Sequence, residues 1–185
     1  MVRFTVHTLR AAPEQSKPLL ERLQKAVGMI PNLAATMAES PALLQGFVQL
    51  RELQAAGTFS PGEVQVLSLT NAFENNCDYC MALHSALALQ AGVAPEAVAA
   101  LRAGRAPAEP RLKALSELSR KLVRERGAVS QADLSTFLAA GFTKAQALEV
   151  VLGVAVSILP NFAHHLTQCP IDDVFRPQVW ESPAA

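Results

Sequence analysis

The 185-residue chain is poor in cysteine, poor in aromatics and has no net charge. Its three cysteines, Cys77, Cys80 and Cys169, are too few and odd in number for a secreted disulfide scaffold, and they suit a reduced compartment. Sixteen Lys and Arg balance 16 Asp and Glu. No basic run or basic–aromatic interleaving appears, so a nucleic-acid partner is excluded. The stretch from Met1 to Gln15 lacks the apolar core of a signal peptide. The longest apolar run, around Val150–Leu159, is too short to span a bilayer and follows Glu149. These absences predict a soluble, cytoplasmic protein with no membrane partner. Low-complexity sequence is also missing. Only residues 2–9 alternate like a strand (Val2, Phe4, Val6), and one strand cannot form a sheet alone.

What is present is helical. Apolar residues make up 50% of the chain, enough to fill the core of one domain over residues 1–185. A near-neutral chain this apolar also suggests surface hidden in an oligomer. Leu19, Leu20, Leu23 and Val27 share one face of a first helix from Pro13 to Val27. Pro31, Pro41, Pro61, Pro95 and Pro110 sit where helices should start. Ser60-Pro61-Gly62-Glu63 is a capping box, and Ser130 and Thr143 open similar ones. Predicted helices cover Leu43–Ala56, Pro61 towards Asn75, Cys77–Gln90, Pro95–Arg102, Pro110–Arg126, Ser130–Ala140 and Thr143–Leu159, the last breaking at Pro160. The Ala103–Pro110 segment is the best internal linker candidate. Phe59-Ser60 and Phe142-Thr143 each open a capped apolar helix, an internal echo that suggests two similar helical halves.

The informative stretch runs from Phe73 to His84. In a helix from Cys77 onward, Cys80 and His84 lie about 40° apart, and Cys77 falls close to the same line. Both thiols and the imidazole then line one face. A helix N-terminus and a neighbouring imidazole favour the thiolate. A histidine four residues on can take the thiol proton and return it to a leaving group. A second cysteine can resolve a sulfenic acid into a disulfide before overoxidation. Two other readings stand beside redox chemistry. The pair is also half of a zinc site that His84 and His164 or His165 would complete in space, although no second CxxC or H-x-x-x-H follows. The third reading is two inert core cysteines.

Cys77-Asp78-Tyr79-Cys80-Met81-Ala82-Leu83-His84 resembles the CxxCxxxH core of alkylhydroperoxidase-D-like proteins, which belong to the carboxymuconolactone decarboxylase superfamily. Asn76 and Tyr79 are similar to that family too, as is the lead-in helix from Ser60 to Leu69. Asn161 to Asp172 resembles the tail of one branch. The resemblance is specific over residues 60–90 and fair over 142–175. It implies an all-α, AhpD-like fold, a trimer or hexamer, and thiol-dependent alkyl hydroperoxide reduction without a metal or cofactor. Its partners would be a small hydroperoxide and a dithiol or protein reductant. It implies Cys80 as the attacking thiol, Cys77 as the resolving one and His84 as proton carrier. The cysteine pair argues against decarboxylase activity.

One departure matters. The family's relay glutamate stands twelve residues before the first cysteine, where this chain has Gln65; Glu63 lies on roughly the opposite helix face. Glutamine cannot take the proton, but it can orient the imidazole. Glu74, Glu149 and His165 are candidates for completing the relay. Tyr79 stands where some members carry a histidine between the cysteines. A dithiol–disulfide oxidoreductase serving a protein partner, and a non-catalytic redox-sensing or zinc-binding module, are the alternative functions. Cys169 reads as structural, and Phe175 and Trp180 as pins for the C-terminal tail.

Overall fold

Proline and capping residues set the helix starts. In a computed structural model describing residues 4–182, α1 (Lys17–Val27) follows a short 3-10 turn. It leads to α2 (Asn32–Met37), α3 (Pro41–Ala55), α4 (Pro61–Glu74), α5 (Asp78–Gln90) and α6 (Pro95–Arg102). Then come α7 (Pro110–Arg124), α8 (Gln131–Ala139), α9 (Lys144–Thr167) and a closing 3-10 segment, Asp173–Gln178. Among the described residues there is no strand; residues 4–9 are irregular and Val2 lies outside the described range. All three capping boxes form: Ser60 with Glu63, Ser130 with Asp133 and Thr143 with Gln146.

The central pair is α4 and α5, covered by α7, α9 and α6. Every residue of α4 from Val66 to Ala72 is buried, so the helix is apolar nearly all round, as a central helix must be. Within that buried stretch Asn71 is fully satisfied. Asn71 Nδ2 donates to Ser157 Oγ at 3.1 Å, and Ser119 Oγ donates to Asn71 Oδ1 at 2.8 Å. That knot ties α4 to both α7 and α9. Gly153 lets α9 come close: a Cβ there would lie 3.2 Å from Leu67 Cδ1 and from Gln54 Nε2.

One sequence expectation needs correction. The predicted break at Pro160 does not occur; α9 continues through it to Thr167. Proline removes one N–H from the ladder, but side chains beyond it are anchored across the fold. Asn75 Nδ2 donates to Asn161 Oδ1 at 2.9 Å, and His164 Nε2 bonds Asp78 Oδ1 at 2.7 Å. At 24 residues α9 is, by length and composition alone, long and apolar enough to cross a membrane. It serves here as a packing helix against α3, α4 and α7.

The Ala103–Pro110 connection is a fitted loop as well as a linker. A Cβ on Gly104, at φ +70°, would lie 2.2 Å from Phe73 Cζ, so only glycine fits there. Phe175 and Trp180 are both buried. Trp180 Nε1 donates to the Arg102 carbonyl at 2.8 Å and its ring meets Phe73 edge-on, which pins the tail as expected.

Candidate active site

The site begins at the turn between α4 and α5. Asn76 adopts left-handed backbone, φ 53°, a conformation asparagine tolerates better than most residues. The chain reverses there, and Cys77 N donates to the Ala72 carbonyl at 2.9 Å. Cys77 is therefore the N-cap of α5 and not its first helical residue; its sulfur accepts from Cys80 N at 3.4 Å. Asp78 opens the helix. Both thiols are free and buried, Cys77 completely and Cys80 at 3% exposure. The Cys80 thiol donates to Cys77, and that bond together with burial pushes the Cys80 thiol well above its ordinary value. Asn161 of α9 also hydrogen-bonds the Cys80 sulfur and works the other way.

One turn further along α5, His84 Nδ1 meets Gln65 Oε1 at 2.8 Å. A carboxamide oxygen only accepts, so Nδ1 carries the proton and Nε2 keeps its lone pair. Burial and the nearby Arg51 guanidinium push His84 down to about 3. The imidazole is thus neutral at physiological pH, with its basic nitrogen fixed by Gln65.

His84 opens onto a cavity of about 280 Å³ between α3, α4, α5 and α9. Phe47, Phe59, Val64, Val156 and Pro160 form apolar walls, and Arg51, Gln54, Gln65 and Ser157 bring polar groups. Larger surface depressions elsewhere lie away from the thiols, over α7 and α8 and beside α6.

The remaining sequence candidates are held elsewhere. Glu74 accepts from Arg120 Nε at 2.8 Å and Arg124 Nε at 2.5 Å. Glu149 caps the loop before α4, accepting from Thr58 N at 2.9 Å. His165 Nε2 donates to the Asn75 carbonyl at 2.6 Å. The Tyr79 hydroxyl donates to Asp172 Oδ2 at 2.5 Å, and this bond and burial drive the phenol far above its usual range. Glu63 stays within its capping box and pairs with Arg111 Nε at 2.8 Å. Of the proposed relay groups, Gln65 alone is bonded to His84. Arg51 and Gln54 are not singled out by the sequence: α3 carries no motif that marks them, and only packing brings them to this site.

Behind the dithiol lies a second polar chain. His164 Nε2 donates to Asp78 Oδ1, so Nδ1 accepts from the Cys169 thiol at 3.5 Å. His164 holds the Asp78 carboxyl below the usual carboxylate range. Burial and Asp172 push Cys169 up to about 12, so it stays a protonated donor. Among the described residues, no three His, Cys, Asp or Glu side chains converge as a metal site.

Residues 41–120 match the sequence pattern of the Carboxymuconolactone decarboxylase family. The resemblance read from the sequence holds. The matched segment runs from α3 into α7 and carries Arg51, Gln65, Cys77, Cys80 and His84. Among solved structures, a peroxidase-related protein with an alkylhydroperoxidase AhpD core from Ralstonia eutropha JMP134 superposes with a TM-score of 0.82 at 21% identity, over 97% of both chains. A peroxidase-related protein from Silicibacter sp. TM1040 gives 0.78 at 18% identity, over 96% of this chain and 94% of the other. The debrominase Bmp8, as its C82A variant with 2,3,4-tribromopyrrole, gives 0.70 at 15% identity, over 96% and 95%. The fold is AhpD-like and all-helical. No curated protein is significantly similar in sequence.

Proposed function

We propose that this protein is a thiol-dependent hydroperoxide reductase that cycles Cys77 and Cys80 between dithiol and disulfide. One observation carries the reading. Two free, buried thiols sit at the start of α5, one turn from an oriented neutral imidazole that opens onto a partly open cavity.

Cys80 is the attacking thiol, because it stands four residues before His84 on the same helix face. His84 Nε2 takes the Cys80 proton. The thiolate attacks the terminal oxygen of the hydroperoxide, the O–O bond breaks, and the leaving alkoxide takes the proton from His84. Cys80 is now a sulfenic acid. The Cys77 sulfur attacks the Cys80 sulfur, a disulfide forms and water leaves. An external dithiol returns two electrons. The balance is ROOH plus dithiol giving ROH, water and a disulfide.

Burial of both thiols favours this reading over direct exchange with a protein disulfide, which needs an exposed sulfur. The proposal includes a homo-oligomer, because α9 leaves Leu148, Val151, Phe162 and Leu166 exposed along one stripe.

The test is turnover of an organic hydroperoxide with a dithiol reductant, coupled to trapping of sulfenic acid. Wild type turns over, Cys80→Ser does not, and Cys77→Ser accumulates a trappable sulfenate at Cys80. No turnover in wild type, or unchanged turnover in Cys80→Ser, would defeat the proposal.

A further inference from the structure

The cavity in front of His84 contains a cation without a counterion. Arg51 lies on α3, one turn after Phe47 and one before Gln54 and Ala55, and all four line the cavity. Among the described residues Arg51 makes no ion pair, although its neighbour Glu52 pairs with Arg22. Its guanidinium lies 5.7 Å from the centroid of the Phe47 ring. Arg51 is half-buried, and burial lowers its pKa from the ordinary arginine value. The Gln54 side chain is buried, and it has no hydrogen-bond partner among the described residues. By contrast Gln65 is committed to His84, Ser68 Oγ to the Val64 carbonyl and Ser157 Oγ to the Gly153 carbonyl.

A half-buried guanidinium beside a carboxamide with no hydrogen-bond partner among the described residues, facing a largely apolar wall, is an uncompensated arrangement. Buried charges are paired or shift, and arginine stays protonated. The planar fork of guanidinium donors matches a carboxylate with two parallel hydrogen bonds. Phe47, Phe59, Val64 and Val156 would take an apolar body. A volume of about 280 Å³ stands near the lower end for small-ligand sites.

We propose that this cavity binds small organic acids, with the carboxylate held by Arg51 and Gln54 and the apolar body lying towards His84. Taken with the hydroperoxidase reading, on which this second step rests, the preferred substrate is a hydroperoxide that carries a carboxylate on an apolar body. A bound carboxylate would also cancel the repulsion that Arg51 exerts on His84, so the correct substrate would make the imidazole more basic as it binds.

The test separates binding from chemistry. Octanoate and its neutral analogue octanamide are titrated into the full chain by calorimetry, with His84 followed by NMR. Octanoate should bind at least tenfold more tightly than octanamide. Arg51→Gln should remove that preference, and Arg51→Lys should restore part of it. Octanoate, and not octanamide, should raise the His84 titration midpoint in wild type, a readout that needs no variant to fold. Cys80→Ser should bind octanoate as wild type does. Equal affinity for acid and amide, binding of neither, or an Arg51→Gln variant that keeps the preference overturns the site. If the Arg51-dependent preference is found in a protein with no peroxide turnover, the acid site stands and the hydroperoxidase reading fails. If turnover is present, KM for a carboxylated hydroperoxide should rise at least tenfold in Arg51→Gln, with KM for a neutral one unchanged.

Discussion

At His84 the partner atom decides what the imidazole can do. A carboxylate behind Nδ1 would stabilise the imidazolium, whereas Gln65 Oε1 orients the ring without a full charge. Gln65→Glu should therefore raise His84 basicity and increase hydroperoxide turnover at pH 7 by about tenfold, within the range of general-base contributions; a slower variant would sink the relay argument. The pH dependence follows from the same groups. Cys80 is held above its ordinary value, so alkylation of the thiol should keep accelerating beyond pH 9, with no histidine step near 6.5. Stability responds in the opposite region. His84 titrates at about 3 in the folded chain and near 6.5 unfolded, so the unfolded chain binds the extra proton between those values. The contribution is full above about pH 6.5 and is lost as the pH falls towards 3. Between pH 7 and pH 4.5 wild type should lose about 1–2 kcal/mol more than His84→Gln in denaturant melts, allowing for the partial exposure of the ring.

At the scale of elements, the turn into α5 and the length of α9 are what assemble the site. Asn76 in left-handed conformation places Cys77 as cap and aims its sulfur at the first turn. Asn76→Gly should leave stability within about 0.5 kcal/mol, whereas Asn76→Ala should cost about 1 kcal/mol because its Cβ meets the backbone; denaturant melts separate the two. The three capping boxes were legible because their donors and acceptors lie three residues apart in sequence. The end of α9 was not. Local rules place a break at Pro160, but the carbonyl left without its N–H is outweighed by packing and by the bonds that Asn161 and His164 make to residues 86 positions earlier. Those same bonds carry α9 past Cys80.

Across the whole molecule, the C-terminal segment is strapped over the dithiol. Asp172 is buried, accepts from the Tyr79 hydroxyl, and takes Asn32 N at 3.1 Å. Tyr79→Phe removes one donor from a buried carboxylate and should cost about 1–3 kcal/mol, with faster proteolysis of the chain beyond Cys169. The exposed stripe on α9 is the counterpart on the outer surface. Phe162→Glu, at 57% exposure in the isolated chain, should lower the oligomer mass seen by light scattering while leaving the helical signal intact; an unchanged mass counts against α9 as the contact.

The sequence by itself determined the helical class, most helix starts and the placing of Cys80 and His84 four residues apart on one helix. Each depends on interactions within a few residues: capping bonds, proline at first turns, and a 3.6-residue repeat. Tertiary structure alone decided what surrounds them. Gln65 reaches His84 from 19 residues away, Glu74 is drawn off by Arg120 and Arg124 some 50 residues later, and α3 delivers Arg51 to the mouth of the site. Those outcomes depend on which helix faces meet. That is settled by burying apolar area across the whole chain, a sum no local pattern records.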